Sequence, residues 1–173
     1  MESERLIFVD EFGGHLAMFR RYARAPHGHR ALVCEKVERG AKFSALCALG
    51  LRGVFAPLLI AGAVDHVVFE PYVECCLVPQ LLPGERVLVD NIRFHDSLRA
   101  RLLIETVGAR VEHFPAYSPD FNPLEECISK LKTILRTHHP ATPPALLHSF
   151  AFALEQISAA DILGWFKHCG YRT

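Results

Sequence analysis

The chain has 173 residues, half of them hydrophobic, with 19 Lys plus Arg balancing 19 Asp plus Glu. That is enough for one domain with its own core, and too apolar for a disordered chain. A formal net charge of zero argues against a protein that holds nucleic acid by bulk charge, so a claim of that kind needs local basic residues.

Six cysteines occur, none as CxxC, and Cys75 and Cys76 are adjacent. This spacing suits neither a zinc site nor a simple disulfide framework, and free thiols in a reducing cytoplasm are expected. The N-terminus MESERLIFVDE places charge before its first apolar run and does not look like a signal peptide. No apolar stretch approaches the roughly 18–20 residues needed to span a bilayer. The expectation is a cytoplasmic protein with no module before Arg5.

Arg5 to Asp10 (RLIFVD) reads as a buried strand ending on a carboxylate. EFGGHLAMFRRYARAPHGHRA, with Gly, Pro and seven basic or His residues, reads as irregular or part-hairpin and exposed. Leu32 to Val37 is a candidate short strand. Ala41 to Leu51 is a strand with helix as its rival, and Val54 to Ala61 is a strand that Pro57 places at an edge or a bulge. Asp65 to Leu82 has helical periodicity, with the regular helix expected from about Glu70 so that Pro71 takes the first helical position. Pro83-Gly84 is a turn and Arg86 to Asp90 a strand. Ser97 caps a helix that Gly108 ends, and Ala109 to Phe114 is a further strand. A proline-rich loop leads into a helix over Asn122–Thr137. Thr142 opens a last helix to about Ser158, and a short piece over Asp161–His168 follows. Sequential strands followed by alternating strands and helices predict an α/β domain: a mixed sheet of about five strands with helices on its faces.

Asp10 and Asp90 each end an apolar run, and Glu125 opens a helix. Clustered carboxylates repel one another unless a cation lies among them, and hard divalent ions take oxygen ligands. Two such ions clamp the attacking and leaving oxygens of a displacement at phosphorus. Between the adjacent acids Glu125 and Glu126, helix phase selects Glu125. Leu124, Ile128, Leu131 and Leu135 form the core stripe, with Glu125 about 90° from its centre and Glu126 nearly opposite, in solvent. Asn122 is a good N-cap and Pro123 a good first residue, so Glu125 is third, where the helix dipole favours a carboxylate. A capping-box glutamate with no metal is the bland alternative. Lys132 and Arg136 share Glu125's side of the helix, and Arg20, Arg21, Arg24 and Arg30 make the clearest basic concentration, with Tyr22 inside it. Both groups suit DNA phosphates, and both are otherwise solvated faces. His27 with His29, and His138 with His139, lack a third ligand at a recognisable spacing.

Three blocks carry a family resemblance: VDEFGGHLAMFRRYARAPHGHRA, VLVDNIRFH and FPAYSPDFNPLEECISKLKTILR. They resemble the signature blocks of DDE transposases, and most of all the bacterial insertion-sequence branch of the mariner-type superfamily. Thirty-four residues separate Asp90 from Glu125, the spacing of that branch, and AGAVD and GWFKHCGYR are similar to it as well. The resemblance implies a ribonuclease-H-like fold and an endonuclease and strand transferase. Asp10, Asp90 and Glu125 would be both the catalytic residues and the ligands of two Mg²⁺ ions, with Mn²⁺ as a substitute. It implies that Asn91 and His95, from the DNxxxH pattern, line the site behind them. It implies DNA partners (transposon ends and target), a homodimer on DNA, and a nucleoid-associated location when bound. Relatives usually carry an N-terminal helix-turn-helix region. The expectation here is a single catalytic domain over 1–173 without that region, which a partner chain would supply. GGHLA and Ile92-Arg93-Phe94 depart from the usual pattern without removing a carboxylate. A non-catalytic remnant or accessory DNA-binding protein is the alternative function, and a structure-selective nuclease a third.

Overall fold

A computed structural model describes residues 3–18, 24–32, 40–90, 97–115 and 119–173. Asn91, His95, Arg20, Arg21 and Tyr22, and the candidate strand beyond Leu32, lie outside these.

Five strands form one mixed sheet: β1 (Leu6–His15), β2 (Lys42–Gly50), β3 (Gly53–Ala61), β4 (Arg86–Val89) and β5 (Arg110–His113), in the order β3-β2-β1-β4-β5. The first three are antiparallel, and β4 and β5 are added in parallel beside β1. Helix α1 (His66–Tyr72) continues into a π turn over Val73–Leu77. Helix α2 (Leu98–Thr106) links β4 to β5, and α3 (Pro123–His138), α4 (Pro143–Glu155) and α5 (Ala159–His168) close the chain. No single helix among the described residues is long and apolar enough to cross a membrane.

Strand alternation sorts the core into two interiors, because successive side chains point to opposite faces. Leu6, Phe8 and Phe12 of β1 and Leu88 of β4 pack with α3, α4 and α5. Ile7, Val9, Val87 and Val89 pack with Phe69, Leu77, Ala100 and Ile104 of the α1–α2 layer. On the α3 side the Phe8 ring meets Phe114, Phe166 and Tyr171 at 5.4–5.8 Å between centroids. Helices thus cover both faces, as expected.

Three local readings change. First, β1 does not stop at Asp10 but runs on to His15, because Glu11 through His15 pair with Leu46 through Lys42 of β2. The two glycines hid this continuation. Gly14 is required by close packing, since a Cβ there would lie 2.7 Å from the Phe43 ring. Second, the helix around Pro71 starts at His66 under an Asp65 cap, not near Glu70, so the proline sits inside it. Its missing N–H and bulky ring disturb the ladder, and the chain widens into the π turn immediately afterwards. Third, the piece after Ser158 is a full helix, opened by a reciprocal capping box between Ser158 and Asp161. Pro57 is both at an edge and at a bulge: β3 is the outer strand, Ala56 has φ 48°, and the register slips between Leu46 and Ala48. The five described cysteines are free thiols.

Candidate active site

Asp10 shares strand parity with Phe8 and Phe12, so its side chain enters the α3 interior, where it is 7% exposed. Asp90 directly follows β4 and shares the parity of Leu88. The β1–β4 register pairs Phe8 with Leu88. Continued past the end of β4, that register leads to Asp10 and Asp90, and the Asp90 charge bears on Asp10. The Asp90 carbonyl accepts from His113 Nδ1 at 3.3 Å, and the Phe114 amide donates to the Val89 carbonyl, so β5 fixes this strand end.

Helix α3 brings the third acid across that face. Its buried stripe is Leu124, Cys127, Ile128, Leu131 and Leu135, and Glu125 projects from the first turn. Asn122 caps the helix, its Oδ1 accepting from the Leu124 amide at 3.1 Å. The other end of the same carboxamide donates from Nδ2 to Asp10 Oδ2 at 3.0 Å, and both side chains are buried. Asp10 Oδ1 accepts from the Glu11 amide at 2.8 Å.

The Asp10 carboxyl is pushed up to about 7. Burial is the largest cause, followed by the Glu11 charge. The Glu125 and Asp90 charges add to the rise, and the Glu11 amide opposes it. Asp10 therefore feels both partners named from the sequence. Glu126 instead faces α5, where its carboxylate meets His168 Nδ1 at 2.6 Å. The expectation that Glu126 points into solvent is corrected by α5, whose packing against α3 half-buries that side. An open cavity of about 480 Å³ lies beside Glu125, lined also by Asp120, Asn122, Glu126, Ser129 and His168.

All three acids are hard oxygen donors on one face, and their mutual repulsion is of the kind a divalent cation relieves. The donor set therefore fits Mg²⁺ or Mn²⁺. No group of three His, Cys, Asp or Glu among the described residues is drawn together tightly enough to hold an ion as it stands. Arg24 and Arg30 are exposed around the Pro26–His29 turn, and Lys132 and Arg136 are half-buried. Lys132 Nζ lies 5.5 Å over the Phe12 ring, which directs this cation toward β1, the strand of Asp10. Sequence reasoning identified Asn122 as a cap but missed its bond to Asp10. An Asn is chosen at many caps for the helix alone, so no signal in the sequence revealed the second partner.

Residues 5–144 match the family described as DDE superfamily endonuclease. The chain belongs to the DDE superfamily endonucleases. Its fold is ribonuclease-H-like, as likeness to solved structures shows. A pre-cleavage Mos1 transpososome matches with TM-score 0.72 at 14% identity, over 96% of this chain and 52% of the other. A Mos1 mariner paired-end complex with Mn matches with TM-score 0.72 at 16% identity, over 95% and 53%. The catalytic domain of Mos1 mariner transposase matches with TM-score 0.69 at 13% identity, over 97% and 76%. This DDE endonuclease chain thus spans about half the length of the Mos1 chains in the assembled complexes. A comparison with curated proteins finds no match.

Proposed function

We propose that the chain is the catalytic domain of a transposase of the bacterial insertion-sequence branch, a single domain over residues 1–173. It cuts DNA at transposon ends and joins the freed 3′-hydroxyl to target DNA. The observation that supports this reading is the buried Asp10 carboxyl, tied to the start of α3 by Asn122 and raised in part by the charges of Glu125 and Asp90. Membership of the DDE endonucleases supports it.

In this reading Asp10, Asp90 and Glu125 would hold two Mg²⁺ ions, with Mn²⁺ as a substitute. Such ions lower the pKa of an attacking water and neutralise charge on the phosphorus oxygens. The chain's own residues arrange the rest. Asp10 is held at both oxygens, by Asn122 and by the Glu11 amide, so its carboxylate is oriented before any substrate arrives. Glu125 stands in the first turn of a helix whose dipole favours its charge. Asn91 and His95, outside the described residues, are assigned to this site by the DNxxxH resemblance alone. Lys132 and Arg136 on α3, and Arg20, Arg21, Arg24 and Arg30 on the basic segment, take phosphates of the strand laid over the acids. Particular ends are recognised by a helix-turn-helix region of the kind such transposases carry, and two copies act together on paired ends in the cytoplasm, at the nucleoid.

The test is a nicking assay on a plasmid carrying the element's ends, with Mg²⁺, with and without a helix-turn-helix protein supplied in trans. Wild type nicks at the ends, and Asp10→Ala, Asp90→Ala and Glu125→Ala each do not. No cleavage by wild type in either arm would mean a non-catalytic remnant. Cleavage indifferent to end sequence would mean a structure-selective nuclease.

A further inference from the structure

We propose that Asn122 is a positioning residue for the metal site, using one carboxamide to tie the Asp10 carboxylate of β1 to the start of α3, so that Asp10 and Glu125 are presented as a unit. The inference rests on the reading of Asp10 and Glu125 as metal ligands.

The orientation of the carboxamide is dictated by its neighbours. The Leu124 amide is a donor at 3.1 Å, so the Asn122 atom facing it is the oxygen. The other atom is then the NH₂ group, and it faces Asp10 Oδ2 at 3.0 Å. Both side chains are buried, at 6% and 7% exposure, so water does not compete freely for this bond and its loss leaves a buried carboxylate oxygen short of a donor. The first turn of α3 is built on the same residue: the Glu125 amide donates to the Asn122 carbonyl at 3.1 Å. A change at Asn122 is therefore felt at Glu125 through the backbone and at Asp10 through the side chain.

The double duty separates Asn from every other good cap. Ser and Thr satisfy the Leu124 amide about as well, but their hydroxyl is too short to reach Asp10 from the same position. A capping role alone predicts that these substitutions are silent. A positioning role predicts that the helix survives and the metal site loosens, since partners behind a metal ligand typically contribute 10–100-fold in affinity.

The experiment is Mn²⁺ binding to the full chain without DNA, read as loss of the free-ion signal in electron paramagnetic resonance, beside melting temperature in a chelator. Asn122→Ser and Asn122→Thr should stay folded, melting below wild type by no more than the lost bond to Asp10 accounts for, and bind Mn²⁺ about 10–100-fold more weakly. Asp10→Asn should bind more weakly still. Wild-type affinity in both Asn122 variants, with affinity lost in Asp10→Asn, overturns the positioning role alone. It does so whether or not the melting temperature falls. Wild-type affinity in Asp10→Asn, or no saturable binding by wild type, overturns the metal reading and this inference with it.

Discussion

Strand β1 divides two interiors of different character. Ile7 and Val9 face the α1–α2 layer, an apolar cluster, and the described residues on that side also bury the Tyr72 hydroxyl and one carboxylate oxygen of Glu11, which shares their strand parity. Phe8, Asp10 and Phe12 face α3, where an apolar core of similar size contains a carboxylate raised to about 7 and its Asn122 partner. The same strand thus carries a largely apolar face and a face that holds a buried, hydrogen-bonded carboxylate in its core. Strained or charged groups of this kind persist at functional sites because the surrounding core over-determines the fold.

The contrast is sharpest on α3 itself, between the exposed Glu125, whose charge bears on Asp10, and Glu126, whose carboxylate meets His168. Glu125→Gln should lower strand cleavage by about 10²–10³-fold, the effect of removing one group that stabilises charge at the reacting centre. Glu126→Gln should stay near wild type. Single-turnover cleavage rates decide it, and the reverse ranking would break the assignment of faces.

The apolar parts of the two interiors should behave alike. Leu131 on the α3 side and Leu77 on the other are both fully buried. Each Leu→Ala change should destabilise the fold by about 2–5 kcal/mol in urea unfolding. A negligible loss on one side would show that interior to be loosely packed.

Asp10 sets the pH behaviour of the two sides apart. Its folded pKa lies above the model-peptide value of 3.8, at about 7, so the folded state binds the extra proton between those values. Stability is present in full below the unfolded pKa and falls as pH rises toward about 7. In a chelator, wild type should therefore lose stability relative to Asp10→Asn between about pH 4 and pH 8, by on the order of 2–4 kcal/mol at 1.36 kcal/mol per pKa unit. Added Mg²⁺ should restore much of that loss in wild type only. A flat difference across the range would contradict the buried cluster.

The smallest effect belongs to the other face. The Tyr72 hydroxyl is buried with no hydrogen-bond partner among the described residues. Tyr72→Phe should leave the melting temperature unchanged or raise stability by about 1 kcal/mol, and a clear fall would reveal a partner.

Much of this arrangement was legible in the sequence because it depends on short-range rules. The RLIFVD and RVLV runs, the Ser97 and Asn122 caps, the Gly108 stop and the phase of the α3 stripe each follow from residues within one or two turns. What was illegible depends on contacts distant in the chain. Gly13 and Gly14 read as punctuation until Phe43 of β2 lies against them. Pro71 reads as a helix start because its tolerance inside α1 depends on the π turn that follows. Glu126 reads as solvated until α5 folds back with His168. The Asn122–Asp10 bond spans 112 residues, and nothing within the turn around either residue encodes it.

Iron-directed self-cleavage tests the central claim most directly. Fe²⁺ with ascorbate generates hydroxyl radicals that cut the backbone nearest the bound ion. The account predicts fragments ending around Asp10, Asp90 and Glu125, suppressed by excess Mg²⁺ and lost in Asp10→Asn. Cuts that miss all three positions, or that gather only around Glu126 and His168, would contradict it.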